Sequence, residues 1–473
     1  MQHATSRGFK DNAHRALGDA QLQRALVLVK KNFVERRAAA AARLPEFEAL
    51  RDRARDIKNH VLDNLDVYLE RFESKVVAAG GQVHWCEDAE AARQAILRIC
   101  RSVDAKLVTR GKTMIGEEID LNSFLEANAV TPVETDLGEY IIQLRREPPS
   151  HIIAPAIHLN KEQVADAFRG AHADLDPKRS LDDPPELLAE ARARLRSRFL
   201  AADVGITGAN FLVAETGSSI IVTNEGNGDL TQTLPKIHIV LASLEKVVPT
   251  LEDAATILRV LARSATGQEM SVYTTISTGP RRPEDVDGPE QYHVVLLDNG
   301  RSRMLGNEFR EALRCIRCGA CLNHCPVYQA VGGHAYGWVY SGPIGAVLTP
   351  SLIGVEEAGH LPNASTFCGR CESVCPMRIP LPKMMRHWRE REFSRHLSPP
   401  AARWALRAWA FVARRPALYR LAAGLGARVL KARAGRAGRM SRLPLAAGWT
   451  AHRDMPAPEG RTFQQLWAER ARR

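Results

Sequence analysis

The chain has 473 residues, 45% of them apolar, and this length predicts two or three domains with substantial cores. No segment approaches the roughly 18 to 20 consecutive apolar residues of a membrane helix, and the first residues lack the apolar core of a secretory signal, so we expect a cytoplasmic protein. The formal charge of +11 is concentrated at the end. Residues 389–473 hold 19 Lys or Arg and 5 Asp or Glu, which leaves −3 for the rest. With a near-neutral body and no recognisable nucleic-acid module, no nucleic-acid role is expected.

Residues 1–75 are predicted to be a helical N-terminal region, because apolar residues recur at three- and four-residue spacing between charges. We expect this region to be an arm or an added layer. From Gly80 the pattern changes to short apolar runs that alternate with helices. The segments QVHWC, AKLVTR and EYIIQL are predicted strands, and their rhythm with the intervening helices is typical of a largely parallel sheet.

Further strands are predicted after residue 200, where β-branched stretches alternate with Gly-rich turns in NFLVAETGSSIIVTNEGNGDL. Strands at KIHIVLAS, SVYTTIST and HVVLLDN follow. Residues 76–300 are therefore predicted to form one α/β domain with a mixed sheet. The chain contains neither GxGxxG nor GxxxxGK[ST], which argues against an NAD-dependent dehydrogenase.

The segment 301–395 contains most of the cysteines. Seven of the nine lie between residues 315 and 375, whereas Cys86 and Cys100 stand alone and are expected to be small buried apolar residues. The run C-x-x-C-x-x-C-x-x-x-C-P at residues 315–326 is typical of bacterial ferredoxins, in which three thiolates hold one cluster and the fourth holds the other. Structural zinc is the alternative, but it usually takes two C-x-x-C pairs. The run therefore predicts iron–sulfur clusters.

The spacing also predicts which cysteines share a cluster. The first run has cysteines at offsets 0, 3, 6 and 10, and the same offsets counted back from Cys375, which also precedes a proline, place a serine at position 365. Crossed ligation then gives one complete [4Fe-4S] cluster held by Cys315, Cys318, Cys321 and Cys375. The second cluster has three cysteine ligands, Cys325, Cys368 and Cys371. It is either a [3Fe-4S] cluster or a [4Fe-4S] cluster completed by water, by the Ser365 hydroxyl or by a partner.

Residues 396–473 are predicted to be a basic amphipathic tail. Arg403, Arg407 and Arg414 fall on one helical face, and Trp404 and Phe411 lie elsewhere. One interpretation is a helix packed on the body with a solvated basic face. The other is docking to a partner subunit or peripheral contact with an anionic membrane surface.

Several segments together resemble the lactate utilization protein B family. They are CIRCGACLNHCPVY, GGHAYGWVYSGPIGAVLTP and STFCGRCESVCP, with ETDLGEYIIQL, PSHIIAPAIH, GITGANFLVAETG, TNEGNG and SATGQ upstream. The resemblance extends over residues 80–390 and is looser outside them. It implies an α/β lactate-utilisation domain of the NagB/RpiA/CoA-transferase-like class, followed by an α-helical dicluster ferredoxin domain, with all seven clustered cysteines as ligands.

The same resemblance implies a redox subunit of an NAD-independent system that oxidises L-lactate to pyruvate, with the cysteine-rich A protein and the C protein as partners. Our leading hypothesis is an electron-transfer subunit. One alternative is that the α/β domain itself binds and transforms a hydroxy acid, phosphosugar or CoA ester, with structural or regulatory clusters. A third hypothesis is an assembly scaffold.

Outside the cysteines, candidate residues for binding a carboxylate or phosphate lie in Gly-rich turns or at strand ends. They are Lys112, Glu134, Asp136, Asn210, Glu215, Asn224, Glu225, His238 and Gln268. Each is also an ordinary turn or capping residue type, so these assignments are hypotheses. His334 is predicted to be a structural neighbour of the cysteines. No catalytic residue is predicted from the sequence.

Overall fold

The structure is a computed structural model that describes residues 5–443, 449–450 and 453–471. The chain forms two compact units, Met1–Glu392 and Phe393–Arg473. Among the described residues, every helix is too short or too polar to span a bilayer.

The N-terminal region is helical, as predicted. Its helices are α1 (Phe9–Gly18), α2 (Ala20–Val29), α3 (Arg36–Ala42), α4 (Phe47–Asp63) and α5 (Leu65–Ala78). They form an added layer rather than an arm, because α1 and α2 contact residues 326–331 of the cysteine segment and α4 contacts residues 251–265 of the α/β domain. This layer buries apolar residues of α4, such as Ala54 and Ile57.

The centre of the first unit is a parallel sheet. Its strands are β1 (Gln82–Cys86), β2 (Leu107–Arg110), β3 (Thr131–Glu134), β4 (Val204–Thr207), β7 (Ile237–Ser243) and β10 (Gln291–Leu297). Their order is β1-β10-β7-β4-β2-β3, and every pair is parallel. All residues of β7 are buried, as expected for a parallel strand with covered faces. The strands predicted at QVHWC, AKLVTR, KIHIVLAS and HVVLLDN are confirmed.

A smaller sheet lies beside the parallel one. It contains β5 (Phe211–Val213), β6 (Ser218–Thr223), β8 (Val247–Val248) and β9 (Tyr273–Ser277), in the order β8-β5-β6-β9. β5 and β6 form an antiparallel hairpin, and β5 pairs with β8 in parallel. The mixed α/β class predicted from the sequence is confirmed, with the parallel and mixed pairings divided between two sheets.

Helices cover the sheets. They are α6 (Ala89–Ser102), α7 (Met114–Glu118), α8 (Leu121–Ala127), α9 (Leu137–Arg145), α10 (Lys161–Ala171), α11 (Pro184–Ala201), α12 (Asn227–Thr233) and α13 (Leu251–Ala265). The strand predicted at EYIIQL is wrong, because these residues lie in α9. Asp136 caps this helix by accepting a hydrogen bond from Glu139 N at 3.1 Å, and this cap starts a helix where the β-branched pair Ile141-Ile142 suggested a strand.

The cysteine segment consists of short helices joined by loops. They are α14 (Ser302–Leu305), α15 (Ala320–Asn323), α16 (Pro326–Val331), α17 (Gly342–Ile353), α18 (Val355–Ala358), α19 (Arg370–Ser373) and α20 (Leu381–Ser394). One hydrophobic core joins this segment to α4, α13 and the smaller sheet, with Ile57, Ile257, Phe211 and Leu322 among its members. The cysteine loops are therefore held by the same core as the α/β domain.

The second unit is helical for most of its described length. It contains α21 (Pro400–Ala413), α22 (Pro416–Ala434), the strand pair β11 (Arg439–Met440) and β12 (Met455–Pro456), and α23 (Phe463–Arg470). No residue of α21 is buried, and Trp404 and Trp409 are 66% and 65% exposed. The predicted amphipathic tail thus includes three helices with exposed aromatic side chains, α21, α22 and α23.

Candidate iron–sulfur centres and an adjacent pocket

Four cysteines line one narrow cavity inside the first unit. They are Cys315, Cys318, Cys321 and Cys375, here called the Cys315 group. Apolar side chains, including Ile152, Ile316 and Ile344, form much of the remaining wall. The structure thus brings Cys375 to the first three cysteines although it is distant from them in the sequence.

The thiols of the Cys315 group influence one another electrostatically. Burial, and after it the neighbouring thiols of Cys375 and Cys315, raises the pKa of Cys318 to about 12. Burial and the other cysteines also raise the pKa of Cys321 well above its usual value. Thiolates gathered in an apolar cavity are unfavourable unless a bound metal compensates their charge. The donor set therefore fits an iron–sulfur cluster.

Backbone amides and buried arginines support this cavity. Arg317 N donates to Cys315 Sγ at 3.4 Å, and Ile379 N donates to Cys375 Sγ at 3.5 Å. Arg51, from α4, donates to the carbonyl oxygens of Ser373 and Cys375, each at 2.7 Å. N-terminal helices thereby hold the loop that carries Cys375.

The remaining three cysteines form the Cys368 group, which consists of Cys325, Cys368 and Cys371. Burial, and after it the neighbouring thiols of Cys325 and Cys368, raises the pKa of Cys371 to about 12. Cys368 is exposed, whereas no thiol of the Cys315 group is. The second group is therefore open to solvent at Cys368.

The loops that begin at positions 315 and 365 have matching backbones. Arg317 and Phe367, each two residues on, have φ values of +58° and +54°, and Gly319 and Gly369 have +71° and +78°. Each glycine precedes a short helix, α15 or α19. The hydrogen bond from Arg317 N to the Cys315 thiol also has a counterpart, because Phe367 N donates to Ser365 Oγ at 3.1 Å. The Ser365 hydroxyl thus occupies the local position that a thiol occupies in the first loop.

In the described part of the chain, no three His, Cys, Asp or Glu side chains converge as ligands of a single metal ion would. The case for clusters rests on the grouping and spacing of the cysteines.

A pocket of about 320 Å³ lies at the carboxyl ends of β2 and β4. The chain order reverses there, because β2 pairs with β3 on one side and with β4 on the other, and such crevices commonly bind ligands in parallel α/β sheets. Six of the residues predicted from the sequence line this pocket: Lys112, Asp136, Asn210, Asn224, Glu225 and Gln268.

The predicted residues of this pocket form local hydrogen bonds. Lys112 Nζ donates to the carbonyl oxygen of Ile153 at 2.7 Å, and the Asn224 amide donates to Gln268 Oε1 at 3.0 Å. The pKa of Glu225 is raised, first by partial desolvation at the pocket and then by the neighbouring Asp136. This side of the pocket is therefore acidic.

Three predicted residues lie elsewhere. Glu134 is buried in an ion pair with Arg110, and burial raises its pKa to about 7. Glu215 is exposed and its carboxylate accepts a hydrogen bond from Leu251 N at 3.4 Å. His238 is buried against Thr207 Oγ1 at 2.8 Å, and burial lowers its pKa to about 3. These three residues are not part of the pocket.

His334, which the sequence predicted to be a structural neighbour of the cysteines, has its imidazole Nε2 2.8 Å from the carbonyl oxygen of Pro148.

The pocket also contains two cationic residues that sequence reasoning missed, Lys246 and Arg317. Burial, and after it the neighbouring Arg317, lowers the pKa of Lys246 to about 8. The sequence could have indicated Lys246 as a binding residue, because it closely follows the carboxyl end of the predicted strand KIHIVLAS, where ligands often bind. Arg317 lies between Cys315 and Cys318, and the cysteine spacing gives no sign of a role for its charge.

The pocket and the cysteine cavity share a wall. Ile152, Ile316 and Arg317 line both spaces. The Cys315 group is therefore separated from the pocket by a single layer of side chains.

Comparisons with known proteins agree with this arrangement. Three family descriptions match: the LUD domain over residues 69–297, the 4Fe-4S dicluster domain over 311–379, and the C-terminal part of lactate utilisation protein B over 370–472. The chain is 41% identical to lactate utilization protein B of Bacillus licheniformis over 98% of this chain and 96% of that one. It is 44% identical to the protein of the same name from Geobacillus thermodenitrificans, over 92% and 91%.

One solved structure, a DUF162 family protein from Deinococcus radiodurans, is 14% identical and matches 49% of this chain and 98% of its own, with a TM-score of 0.27, which is too low to support an argument.

Proposed function

Because this chain belongs to the lactate utilization protein B family, we propose that it carries electrons through two iron–sulfur clusters while L-lactate is oxidised to pyruvate. The family and the dicluster domain establish a coarser role, in lactate utilization with iron–sulfur clusters. The electron-transfer role is supported chiefly by the contrast between the two thiol groups. The Cys315 group adjoins a pocket, whereas the Cys368 group includes a solvent-exposed thiol.

The proposed ligands of the first cluster are the four thiols of the Cys315 group, and those of the second are the three thiols of the Cys368 group. The shared cavity and the mutual effect of the thiols on their pKa values support this assignment. The second cluster is a [4Fe-4S] or a [3Fe-4S] cluster. The matching position of the Ser365 hydroxyl supports an oxygen ligand at the fourth iron.

When bound, such clusters supply one-electron transfer. The surrounding protein keeps the Cys315 group dry, because the apolar side chains of Ile152, Ile316 and Ile344 line its cavity. The amides of Arg317 and Ile379 donate to two of its sulfurs, and such hydrogen bonds raise the reduction potential of a cluster. Exposure of Cys368 leaves one edge of the second group accessible to a redox partner.

The proposed partners are the A and C proteins of the lactate utilization system. The helices of the second unit expose Trp404, Trp409 and Phe411 beside arginines, which supports a docking role for this unit toward a partner or an anionic membrane.

A second candidate function is a chemical step carried out by the α/β domain itself. It is favoured by the pocket that contains six of the predicted binding residues. In this case the clusters serve structure or regulation.

The deciding experiment is lactate-dependent bleaching of the iron–sulfur absorbance. Anaerobic protein is mixed with L-lactate, first alone and then with the A and C proteins, and D-lactate is the control. We expect bleaching only in the three-protein mixture with L-lactate. Bleaching of the isolated chain favours the second candidate, and no bleaching in the complete mixture rejects the electron-transfer role.

A further inference from the structure

We infer that Lys246 and Arg317 bind the carboxylate of a small 2-hydroxy or 2-oxo acid in the pocket at the carboxyl ends of β2 and β4. This inference deepens the proposed function, on which it rests for the substrate class. It locates acid binding on this chain, next to the Cys315 group.

The buried carboxylates near this site already have a cationic partner. Arg301 donates to both carboxylate oxygens of Glu118, at 2.9 and 2.6 Å, and lies 3.2 Å from a carboxylate oxygen of Glu245. All three side chains are at most 2% exposed. One guanidinium therefore already engages both carboxylates.

Arg317 and Lys246 are less closely paired with carboxylates than Arg301 is. Arg317 Nη2 reaches Glu245 only at 3.4 Å, and its Nη1 is buried without a hydrogen-bond acceptor. The Arg317 residue as a whole is 9% exposed, as is Lys246. Among the described residues, no acceptor lies within hydrogen-bonding or ion-pairing distance of the Lys246 ammonium. Arg317 therefore shares Glu245 with Arg301, and positive charge exceeds carboxylate charge around it, so the site is prepared for a negatively charged ligand.

The rest of the pocket favours a small monocarboxylate over phosphate. Ile152, Met114 and Leu241 provide apolar surface, while Asp136 and Glu225 place negative charge in the same pocket. These carboxylates would repel a phosphate dianion more strongly than a singly charged acid. The volume of about 320 Å³ is at the lower end of the range for small-molecule sites and leaves space for water beside a three-carbon acid.

The competing explanation is that the two cations balance the charge of metal-bound thiolates. Cys315 lies close enough to both Lys246 and Arg317 to affect their pKa values. If charge balance is their whole role, replacing Lys246 alters iron content but leaves acid binding unchanged. The two explanations therefore predict different measurements.

The test is isothermal titration of anaerobic, iron-loaded protein with L-lactate, pyruvate and inorganic phosphate in turn. We expect one site per chain for each acid and weaker binding of phosphate. Lys246→Gln should weaken acid binding about ten- to hundredfold, the range for losing one charge-assisted hydrogen bond. The matched control is Lys236→Gln, because Lys236 is exposed and precedes the same strand, β7, at its opposite end. This control should bind as the parent does.

A second variant covers the case in which Lys246→Gln does not fold or loses iron. Asn224→Asp places a new negative charge on the exposed side of the pocket wall and should weaken acid binding several-fold at low salt. Absence of acid binding by the parent protein overturns the inference, as does unchanged binding in a folded Lys246→Gln variant. Acid binding is measured on this chain alone, whereas the proposed function is tested by bleaching in the three-protein mixture. Loss of one result can therefore be told apart from loss of the other.

Discussion

The two cysteine groups share a loop design but differ in environment. The loops at 315 and 365 have matching left-handed residues and matching amide hydrogen bonds, yet one begins with a thiol and the other with a hydroxyl. The Cys315 group lies in an apolar cavity beneath the N-terminal helices, and the Cys368 group includes an exposed thiol. One motif used twice can therefore produce one protected site and one accessible site, depending on what packs over it.

The largest expected effect tests the proposed crossing of ligands between the two loops. Cys375→Ala should destroy the fully ligated cluster, because Cys375 lies with the Cys315 group in space. Cys325→Ala should destroy the three-cysteine cluster. The measurement is EPR of oxidised and reduced samples, with iron analysis, for which we expect seven or eight iron atoms per parent chain. Loss of an oxidised three-iron signal in Cys375→Ala would show that the assignment is reversed.

The difference in exposure should appear in the kinetics of iron release. A chelator should remove iron from the parent protein in two phases, the faster one from the Cys368 group, because Cys368 is exposed and the proposed cluster there has three thiolate ligands rather than four. The measurement is iron release against time, with EPR samples taken between the phases. A single phase with both signals lost together contradicts the contrast between the two sites.

The protection of the first group should depend on a buried arginine of α4. Arg51→Met removes the side-chain hydrogen bonds to the carbonyl oxygens of Ser373 and Cys375, and Cys375 keeps only the one from Arg378 N, which should cost about 1 to 3 kcal/mol in stability and speed the slow phase of iron release. Arg53→Met is the control, since the Arg53 side chain is 66% exposed on the same helix. It should change stability by less than about 0.5 kcal/mol. Equal shifts of the thermal midpoint in both variants contradict this role for Arg51.

Restoring the missing thiol should reduce the contrast between the groups. Ser365→Cys places sulfur where the Ser365 hydroxyl now accepts a hydrogen bond from Phe367 N, so it should supply a fourth thiolate. We expect slower iron release in the fast phase and suppression of any [3Fe-4S] signal. The control is Ser373→Cys, whose hydroxyl in the parent bonds to the Arg370 carbonyl at 3.0 Å. If Ser365→Cys leaves the spectra unaltered, position 365 does not face the cluster.

The smallest effect on the clusters should come from the tail. Deletion from Pro399 should leave iron content and both release phases intact, because both cysteine groups lie within the unit that ends at Glu392. It should weaken recovery with partners or anionic vesicles, most clearly at low salt, because salt screens the attraction of the basic residues. Equal association at all ionic strengths, with and without the tail, favours the packed-helix interpretation.

The sequence predicted four of the six strands of the parallel sheet, β1, β2, β7 and β10, from local pattern, but it missed the four-residue strands β3 and β4. It failed at EYIIQL, where the capping interaction of Asp136 outweighs the preference of Ile141 and Ile142 for strands. The sequence also did not indicate that Arg51 is buried. An arginine on a helix is expected to face solvent, and its hydrogen bond to the Cys375 carbonyl oxygen depends on the tertiary fold.

The pocket could be predicted only in part. The composition of the turns predicted Lys112, Asn210 and Asn224 as binding residues, and all three line the pocket. Glu134 and His238 lie outside the pocket, because Glu134 pairs with Arg110 and His238 lies near the amino end of β7, away from the carboxyl ends of the strands. Lys246 and Arg317 come together through the packing of the α/β domain against the cysteine loop, which no local pattern records.

The wall formed by Ile152, Ile316 and Arg317 has a consequence for how the protein can be divided. Each of its side chains has one surface toward the pocket and another toward the cysteine cavity. A chain cut near residue 300 would leave the α/β fragment with its pocket open on one side, and would expose the apolar lining of the cysteine fragment to water. The two family domains can be separated in the sequence, but in the structure they share one hydrophobic core and one wall between the pocket and the cysteine cavity.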